Sequence, residues 1–166
     1  MAYIPDIVDY KPFYIQSDAD EAAIDTTAWG MVAKANPFPA LPMPKEPYRN
    51  EWLDEDGDDE YTAQMVYEAF EFDVQFYVKA FDSPAGSGEE IIRQQMDEFF
   101  AKIKAGEFSV FDAYTGLGRR KVRYAGFSED GFKRGRDWAR AIFTITFKVN
   151  DPVTRMIMSD GKIIAE

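Results

Sequence analysis

The 166-residue sequence contains no cysteine and no histidine. Without cysteine there can be no disulfide, no thiolate metal site and no cysteine nucleophile. Without histidine the chain lacks the commonest acid–base group near neutral pH, the commonest metal ligand and the usual partner of a serine nucleophile. Carboxylate pairs, an activated lysine or oxygen-ligated Mg²⁺ or Ca²⁺ remain open, but no motif indicates any of them. We therefore predict a protein that is not an enzyme and that has no cofactor, no bound metal and no small-molecule substrate.

Long apolar runs are also missing. The uninterrupted apolar stretches are only a few residues long, whereas roughly 20 residues are needed to span a membrane. The first ten residues have neither the basic region nor the apolar run of a secretory signal. These absences predict a soluble protein without a membrane partner that matures in a cytoplasm.

Charge is distributed unevenly. Residues 1–92 hold 5 Lys and Arg against 20 Asp and Glu, whereas residues 93–166 hold 14 against 10. One acidic half and one basic half in the same chain favour head-to-tail contacts between copies, since each copy then presents opposite signs to its two neighbours. A charged surface that serves solubility explains the same numbers equally well.

The chain divides by composition into three parts. Residues 1–63 form an N-terminal segment with a proline-rich extended arm, residues 64–155 a β-rich core, and residues 156–166 a tail that forms a last hairpin or docks on a neighbour. The arm, residues 30–52, contains five prolines: Pro37, Pro39, Pro42, Pro44 and Pro47. Proline at this density excludes helix and interior strand, because it lacks an N–H and disfavours α conformation in the preceding residue.

The arm and its flank also carry large apolar side chains, which argues against a plain flexible linker. These are Trp29, Phe38, Leu41, Met43 and Trp52. We expect either this subunit's own sheet or a neighbouring subunit to bury them. The acidic run at 54–60 that follows is predicted to be a solvated turn, because its spacing does not match a calcium-binding EF-hand loop.

The core region shows one clear strand and one clear helix. Alternation from Phe70 to Val78 places apolar residues on one face and polar residues on the other, which predicts a long half-buried strand. Residues 89–105 place Ile92, Met96, Phe99 and Ile103 on one helical face, with acidic residues in the first turn and lysines in the last. Ser87 or Gly88 is the expected N-terminal cap.

Three further elements follow the helix. Residues 107–114 and 119–128 predict a hairpin around the turn at 115–118. A polar loop is expected at 129–137, and a strand at 140–149 ends before Asp151-Pro152. A hairpin turn explains Gly116-x-Gly118 better than a phosphate loop does, because no helix and no third glycine follow. Glu71 and Asp73 share a strand face, and an exposed polar face is favoured over a catalytic carboxylate pair.

A basic segment between 113 and 140 is interleaved with aromatic residues. Its candidate interface residues are Arg119, Arg120, Arg123, Arg134 and Arg136. Three interpretations remain open: a docking face for the acidic region of another copy, a solvated hairpin, or a path for nucleic acid. We favour the docking face, since strongly acidic chains seldom bind nucleic acid freely.

The order of these elements resembles tail proteins of long-tailed bacteriophages, above all the tail-tube and distal-tail (baseplate hub) group. The resemblance covers roughly residues 25–155 and rests on local patterns in chain order: AWG, PMPK, FEFDVQFYVKA, the helix at 89–105, GEFSVFDAYTGLGRRKVRYAGF and WARAIFTITFKVNDPVT. In distal-tail proteins a comparable strand of the ring-forming domain closes on Asp-Pro.

This resemblance implies an α+β, mainly β fold: a tail-tube-like β-sandwich with one flanking amphipathic helix and an extended proline-rich arm. It also implies a hexameric ring in a virion tail, assembled in the host cytoplasm, with arms bridging neighbours, contacts to other tail proteins and passing contact with DNA. A tail-terminator or head–tail connector protein is the alternative within this class. A small monomeric or dimeric protein-binding module is the alternative outside it.

Overall fold

The computed structural model describes residues 2–3, 10–34, 41–54 and 56–166. Within them lie twelve strands, one α-helix and one 3-10 turn. In chain order these are β1 (Ala2–Tyr3), β2 (Phe13–Ser17), β3 (Ile24–Asp25), the 3-10 turn (Thr26–Trp29), β4 (Val32–Ala33), β5 (Arg49–Glu51), β6 (Asp58–Glu60), β7 (Phe70–Phe81), α1 (Gly88–Ile103), β8 (Phe108–Asp112), β9 (Leu117–Arg134), β10 (Trp138–Val149), β11 (Met156–Ser159) and β12 (Lys162–Ala165).

Ten of these strands form one antiparallel sheet in the order β1-β7-β10-β9-β8-β2-β3, with β4 on β7 and the β11–β12 pair attached to β9. Its centre is the twelve-residue ladder between β7 and β10. Along β7 the residues Phe72, Val74, Phe76 and Val78 are buried, as the alternation predicts. The predicted strand at 70–80 and the predicted strand at 140–149 are both confirmed.

The sheet curls so that its distant strands face each other across one core. In the sheet order β2 lies four strands from β7, yet the ring centroid of Phe13 on β2 is 6.3 Å from that of Phe76 on β7 and 6.2 Å from that of Phe147 on β10. Burying large aromatic side chains from both sides stabilises this face-to-face arrangement. The predicted fold class, mainly β with one flanking helix, is confirmed.

Helix α1 has a capping residue at each end. Ser87 is the N-cap, and its hydroxyl accepts a hydrogen bond from the Glu90 amide at 3.3 Å. The helix starts one residue before the predicted start at 89 and ends two residues before the predicted end at 105, with Lys104 as the C-cap. Its apolar stripe, with Phe99 and Ile103 fully buried, packs onto the sheet. These two side chains of the stripe therefore belong to the core.

Strand β9 is longer than predicted. It continues to Arg134 and pairs with β10 almost to the end, so the prediction of a polar loop over 129–137 was wrong for all but its last three residues. Register shifts occur between Ile142 and Phe143 and between Thr146 and Phe147 on the partner strand. Such bulges interrupt the period of two, which hides a strand from pattern analysis.

The segments on both sides of the predicted core region, residues 64–155, join the same sheet. Phe13 and Ile15 of β2 are buried, and Met31, Val32 and Ala33 are buried where β4 pairs with β7. The first residues of the predicted arm therefore belong to this subunit's own core. At the other end β11 and β12 form the last hairpin, one of the two arrangements expected for the tail.

Candidate assembly surfaces

Residues 41–69 form an exposed two-stranded ribbon, called here the ribbon. Its two legs pair through β5 and β6 and through a bridge between Pro44 and Tyr67. Backbone hydrogen bonds of 2.8 Å from Lys45 N to Val66 O and from Glu68 N to Met43 O continue the pairing below β5 and β6. With about ten residues in each leg, such a ribbon reaches roughly 33 Å. The predicted arm is thus only the first leg, because residues 58–69 return alongside it.

None of the described ribbon residues is buried, although many are large and apolar. Leu53 at the tip is fully exposed, Leu41 is 80% exposed and Tyr48 is 75% exposed. Other exposed apolar residues of the ribbon are Met43, Trp52, Tyr61, Met65 and Val66. Contiguous exposed apolar surface on a folded protein marks an interaction site more often than a solvated loop. The described part of this subunit therefore buries none of Leu41, Met43 and Trp52.

The ribbon is also strongly acidic. Residues 41–69 contain two basic and nine acidic residues. Arg49 is shared between Glu51 and Asp58, with nitrogen–oxygen distances of 3.7 and 3.2 Å, and the Trp52 indole donates to Asp59 at 3.0 Å. These exposed contacts orient the tip but contribute little stability in water.

Two of the apolar candidates from the sequence lie elsewhere. The Trp29 ring packs on Phe99 of α1 with centroids 5.4 Å apart, and Trp29 is half-buried. Its main contact is therefore within its own subunit. Phe38 lies outside the described residues.

The basic candidates separate into two groups at opposite ends of β9. Arg119, Arg120 and Arg123 lie near its start, whereas Arg134 and Arg136 lie at and beyond its end. Arg134 follows Arg120 by fourteen positions along the strand, which corresponds to a separation on the order of 40 Å. The segment is therefore not one continuous basic patch.

The first group serves mostly the subunit itself. Arg119 is only 3% exposed, and one of its guanidinium nitrogens donates to the Gly118 carbonyl at 3.2 Å. Burial and the neighbouring Arg155 lower the pKa of Arg119. Arg120 pairs with Asp151 at 2.6 Å. Arg123 is exposed and donates to the Tyr124 carbonyl.

Asp151 fixes the loop that follows β10. Its carboxylate accepts hydrogen bonds from the backbone amides of Val153 and Thr154, at 3.2 and 3.1 Å, in addition to the Arg120 contact. Partial burial acts to raise the pKa of Asp151, but these donors outweigh it and hold the pKa well below its usual range.

The second basic group surrounds the turn between β9 and β10. Lys133, Arg134 and Arg136 are exposed there, and Arg134 reaches Glu89 at the start of α1 at 2.8 Å. A groove of about 360 Å³ lies between α1 and the strands β9 and β10. We call it the α1 groove.

The α1 groove was not anticipated from the sequence. Phe127 and Phe132 of β9 line it together with Ile92, Met96 and Phe100 of α1. Phe127 is 45% exposed and Phe132 is 49% exposed. The sequence offered one signal, because Phe127 lies at the end of a predicted strand and Phe132 in a predicted polar loop. The two side chains lie on the same face of the sheet only because of a bulge in the β9–β10 ladder.

Three further features were searched for in the described ranges: a metal site, a membrane-spanning helix and a catalytic carboxylate pair. No group of three or more Asp and Glu residues there is arranged to hold a metal ion. No described helix is long and apolar enough to cross a membrane. Glu71 and Asp73 lie on the polar face of β7, where Asp73 accepts a hydrogen bond from Thr146 at 2.6 Å.

Comparison with known proteins shows the fold. No protein-family model and no curated protein matches the sequence. Among solved structures, the chain is similar to the Dit protein (gp 19.1) of SPP1, described as a paradigm of the hub adsorption apparatus in phages that infect Gram-positive bacteria. The TM-score is 0.54 at 14% sequence identity, and the match covers 88% of this chain. It covers 52% of the Dit chain, so this chain spans about half the length of that protein.

Proposed function

We propose that this chain is a non-enzymatic structural protein of a phage or prophage tail that assembles head-to-tail into a ring. The observation that carries the proposal is the ribbon: none of its described residues, 41–54 and 56–69, is buried in its own subunit, and the fold that carries it is shared with a phage hub protein. So many exposed apolar side chains on one ribbon mark it as a surface that a partner protein covers.

The charge distribution favours contacts between different faces of identical subunits. The ribbon is acidic, whereas the turn between β9 and β10 is basic. Contacts between unlike faces generate a closed ring when the rotation between subunits closes. Six copies is the number that the resemblance to tail proteins implies. Each chain has a net charge of −11. A ring of such chains would therefore repel DNA that passes through its channel.

Light scattering coupled to size-exclusion chromatography tests the proposal. The protein is measured over a hundredfold range of concentration at low and at high salt. We expect a discrete oligomer, near six subunits, that loses subunits as salt rises, because screening weakens contacts between charged faces. A strict monomer at the highest concentration and lowest salt would rule out ring formation by this chain and favour the small monomeric binding module.

A further inference from the structure

Three cationic side chains form a row across the outer face of the sheet. Arg140 of β10 is paired with Lys79 of β7 on one side and with Lys133 of β9 on the other. Ala139 and Ala141, which flank Arg140 along β10, are buried on the inner face. Arg140 and its two cross-strand partners therefore lie on the outer face, and with neighbouring strands about 4.8 Å apart they span roughly 10 Å. We call these three residues the cation row.

Two members of the cation row have no counter-ion in the described part of the chain. Arg140 and Lys133 form no ion pair there. Asp130, three residues before Lys133, instead accepts hydrogen bonds from Thr144 and from Gln75, the latter at 3.2 Å. Like charges directly opposite each other on paired strands destabilise a sheet. The row therefore destabilises the isolated subunit, and an anion bound to the row removes that repulsion.

Aromatic rings restrict the position of Lys79. Its ammonium lies 4.8 Å from the ring centroid of Trp138 and 5.0 Å from that of Phe81, and these two rings form the next cross-strand pair on the same face. Such contacts keep the charge of the ammonium. The half-buried Trp138 ring also lies against the backbone of Gly135, where a Cβ would come within 2.1 Å of it. Little of the indole is left for a base to stack on, so the row recognises a ligand by charge.

The rest of the outer face limits the ligand to a compact anion. Glu71 and Asp73 lie further along β7 on that face, and the whole chain has a net charge of −11. A long polyanion laid along the strands would cover these carboxylates, whereas a short one would contact only the row. The guanidinium of Arg140 matches phosphate oxygens with two parallel N–H donors, and the lysines on either side add point charges.

We propose that the cation row binds a compact multivalent phosphate, a triphosphate group, with Arg140 at the centre and Lys79 and Lys133 on either side. Free triphosphate and a nucleoside triphosphate present the same group, and the experiment below distinguishes them. The inference goes beyond the proposed tail function and does not depend on ring assembly, because all three cations belong to one subunit.

Calorimetric titration and thermal unfolding at constant ionic strength test the site. Inorganic tripolyphosphate should bind one-to-one, and at a hundred times its Kd it should raise Tm by at least about 5 °C. ATP with the same affinity identifies the bare triphosphate as the ligand, and ATP that binds more than about tenfold more tightly identifies a nucleotide. Adenosine should not bind.

Arg140→Gln gives two readouts of opposite sign. It should weaken tripolyphosphate binding at least tenfold, and it should raise the Tm of the ligand-free protein, because it removes repulsion with both neighbours. Lys148→Gln is the matched control on the same strand and face. Lys148 lies between Glu71 and Arg123, so its replacement should leave both quantities nearly unchanged. Lys133→Gln, at an exposed position, tests the end of the row if Arg140→Gln does not fold.

Several results would overturn the inference. These are the absence of both binding heat and a Tm increase with tripolyphosphate, binding that is unchanged in Arg140→Gln and in Lys133→Gln, and a Tm increase that sodium chloride reproduces at the same ionic strength. Duplex DNA that binds through Arg140 while tripolyphosphate does not would assign the row to nucleic acid and would also overturn it. None of these results bears on ring assembly, which light scattering tests separately.

Discussion

The curled sheet and the ribbon contain the same kinds of large apolar residue, but they place them in opposite environments. In the sheet Phe76 is fully buried and its ring meets those of Phe13, Phe99 and Phe143 at centroid distances of 5.2 to 6.3 Å. In the ribbon Leu53 and Tyr48 are mostly in water. The sheet is stabilised by its own packing, whereas the ribbon has only its backbone ladder and a few exposed contacts.

The apolar content of a segment therefore does not identify it as part of a core. An isolated two-stranded hairpin is marginally stable in water, because it has no second layer on which to bury a face. The sheet becomes stable because ten strands and α1 enclose one cluster of side chains. Changes in the core, at its edge, at the helix cap and in the ribbon test this contrast through the free energy of unfolding.

The largest effect is expected in the core. Phe76→Ala removes a ring that contacts three others and should lower the free energy of unfolding by about 3–5 kcal/mol, because it leaves a cavity in close-packed surroundings. Guanidinium denaturation followed by tryptophan fluorescence measures the change. A loss below about 1 kcal/mol would contradict the central position of Phe76.

A smaller effect is expected at the edge of the core. Asp151→Asn removes a carboxylate that accepts hydrogen bonds from Arg120 and two backbone amides, and should cost about 1–3 kcal/mol at pH 7. Because its pKa is lower in the folded chain, Asp151 stabilises the fold above its unfolded pKa of about 3.9. That stability is lost as pH falls below this value.

Urea denaturation at pH 7, 5 and 3 checks the pH dependence. The unmodified protein should lose more stability between pH 5 and 3 than Asp151→Asn does. Asp56→Asn on the exposed ribbon tip is the control, since it removes the same formal charge without these partners. Equal pH dependence of the unmodified protein and Asp151→Asn would contradict the assignment.

Loss of the helix cap should have an intermediate effect. Ser87→Ala leaves the Glu90 amide without the Ser87 hydroxyl and should lower the free energy of unfolding by about 1 kcal/mol. Ser87→Asp, which restores an N-terminal acceptor, should recover most of that loss. Thermal denaturation of the three proteins decides the point, and an alanine variant as stable as the unmodified protein would show that the cap is dispensable.

The smallest effect is expected on the ribbon. Replacing residues 41–68 by a short Gly-Ser linker should change the free energy of unfolding of the dissociated subunit by less than about 1 kcal/mol, because none of the described residues of this segment is buried. The same replacement should abolish oligomerisation in light scattering. If the shortened chain unfolds instead, the ribbon belongs to its own subunit's core.

Sequence patterns identified the elements whose contacts are regular and local. The alternation of β7 and β10 and the apolar stripe of α1 follow from fixed side-chain periods, so they are readable without a structure. Strand β9 was underestimated because bulges break its period, and the return leg of the ribbon was missed because its partner lies on the far side of an acidic turn. No local sequence pattern indicates which segment such a strand pairs with.

The candidate site was less predictable than the fold. Trp29 and Arg119 belong to the types of residue expected at an interface, but the 3-10 turn places Trp29 on α1 and the β8–β9 pairing places Arg119 inside. The α1 groove could not be anticipated, since it depends on how far a helix of fixed length covers a strand that is longer than expected.

Residue type and spacing are enough to establish the absence of histidine and cysteine chemistry, the two long alternating strands, the amphipathic helix and the division into an acidic and a basic half. They do not establish which apolar residues are buried. Burial depends on which strands of the curled sheet face each other, and that arrangement closes over Phe13 and Phe76 while it leaves the ribbon and the α1 groove uncovered.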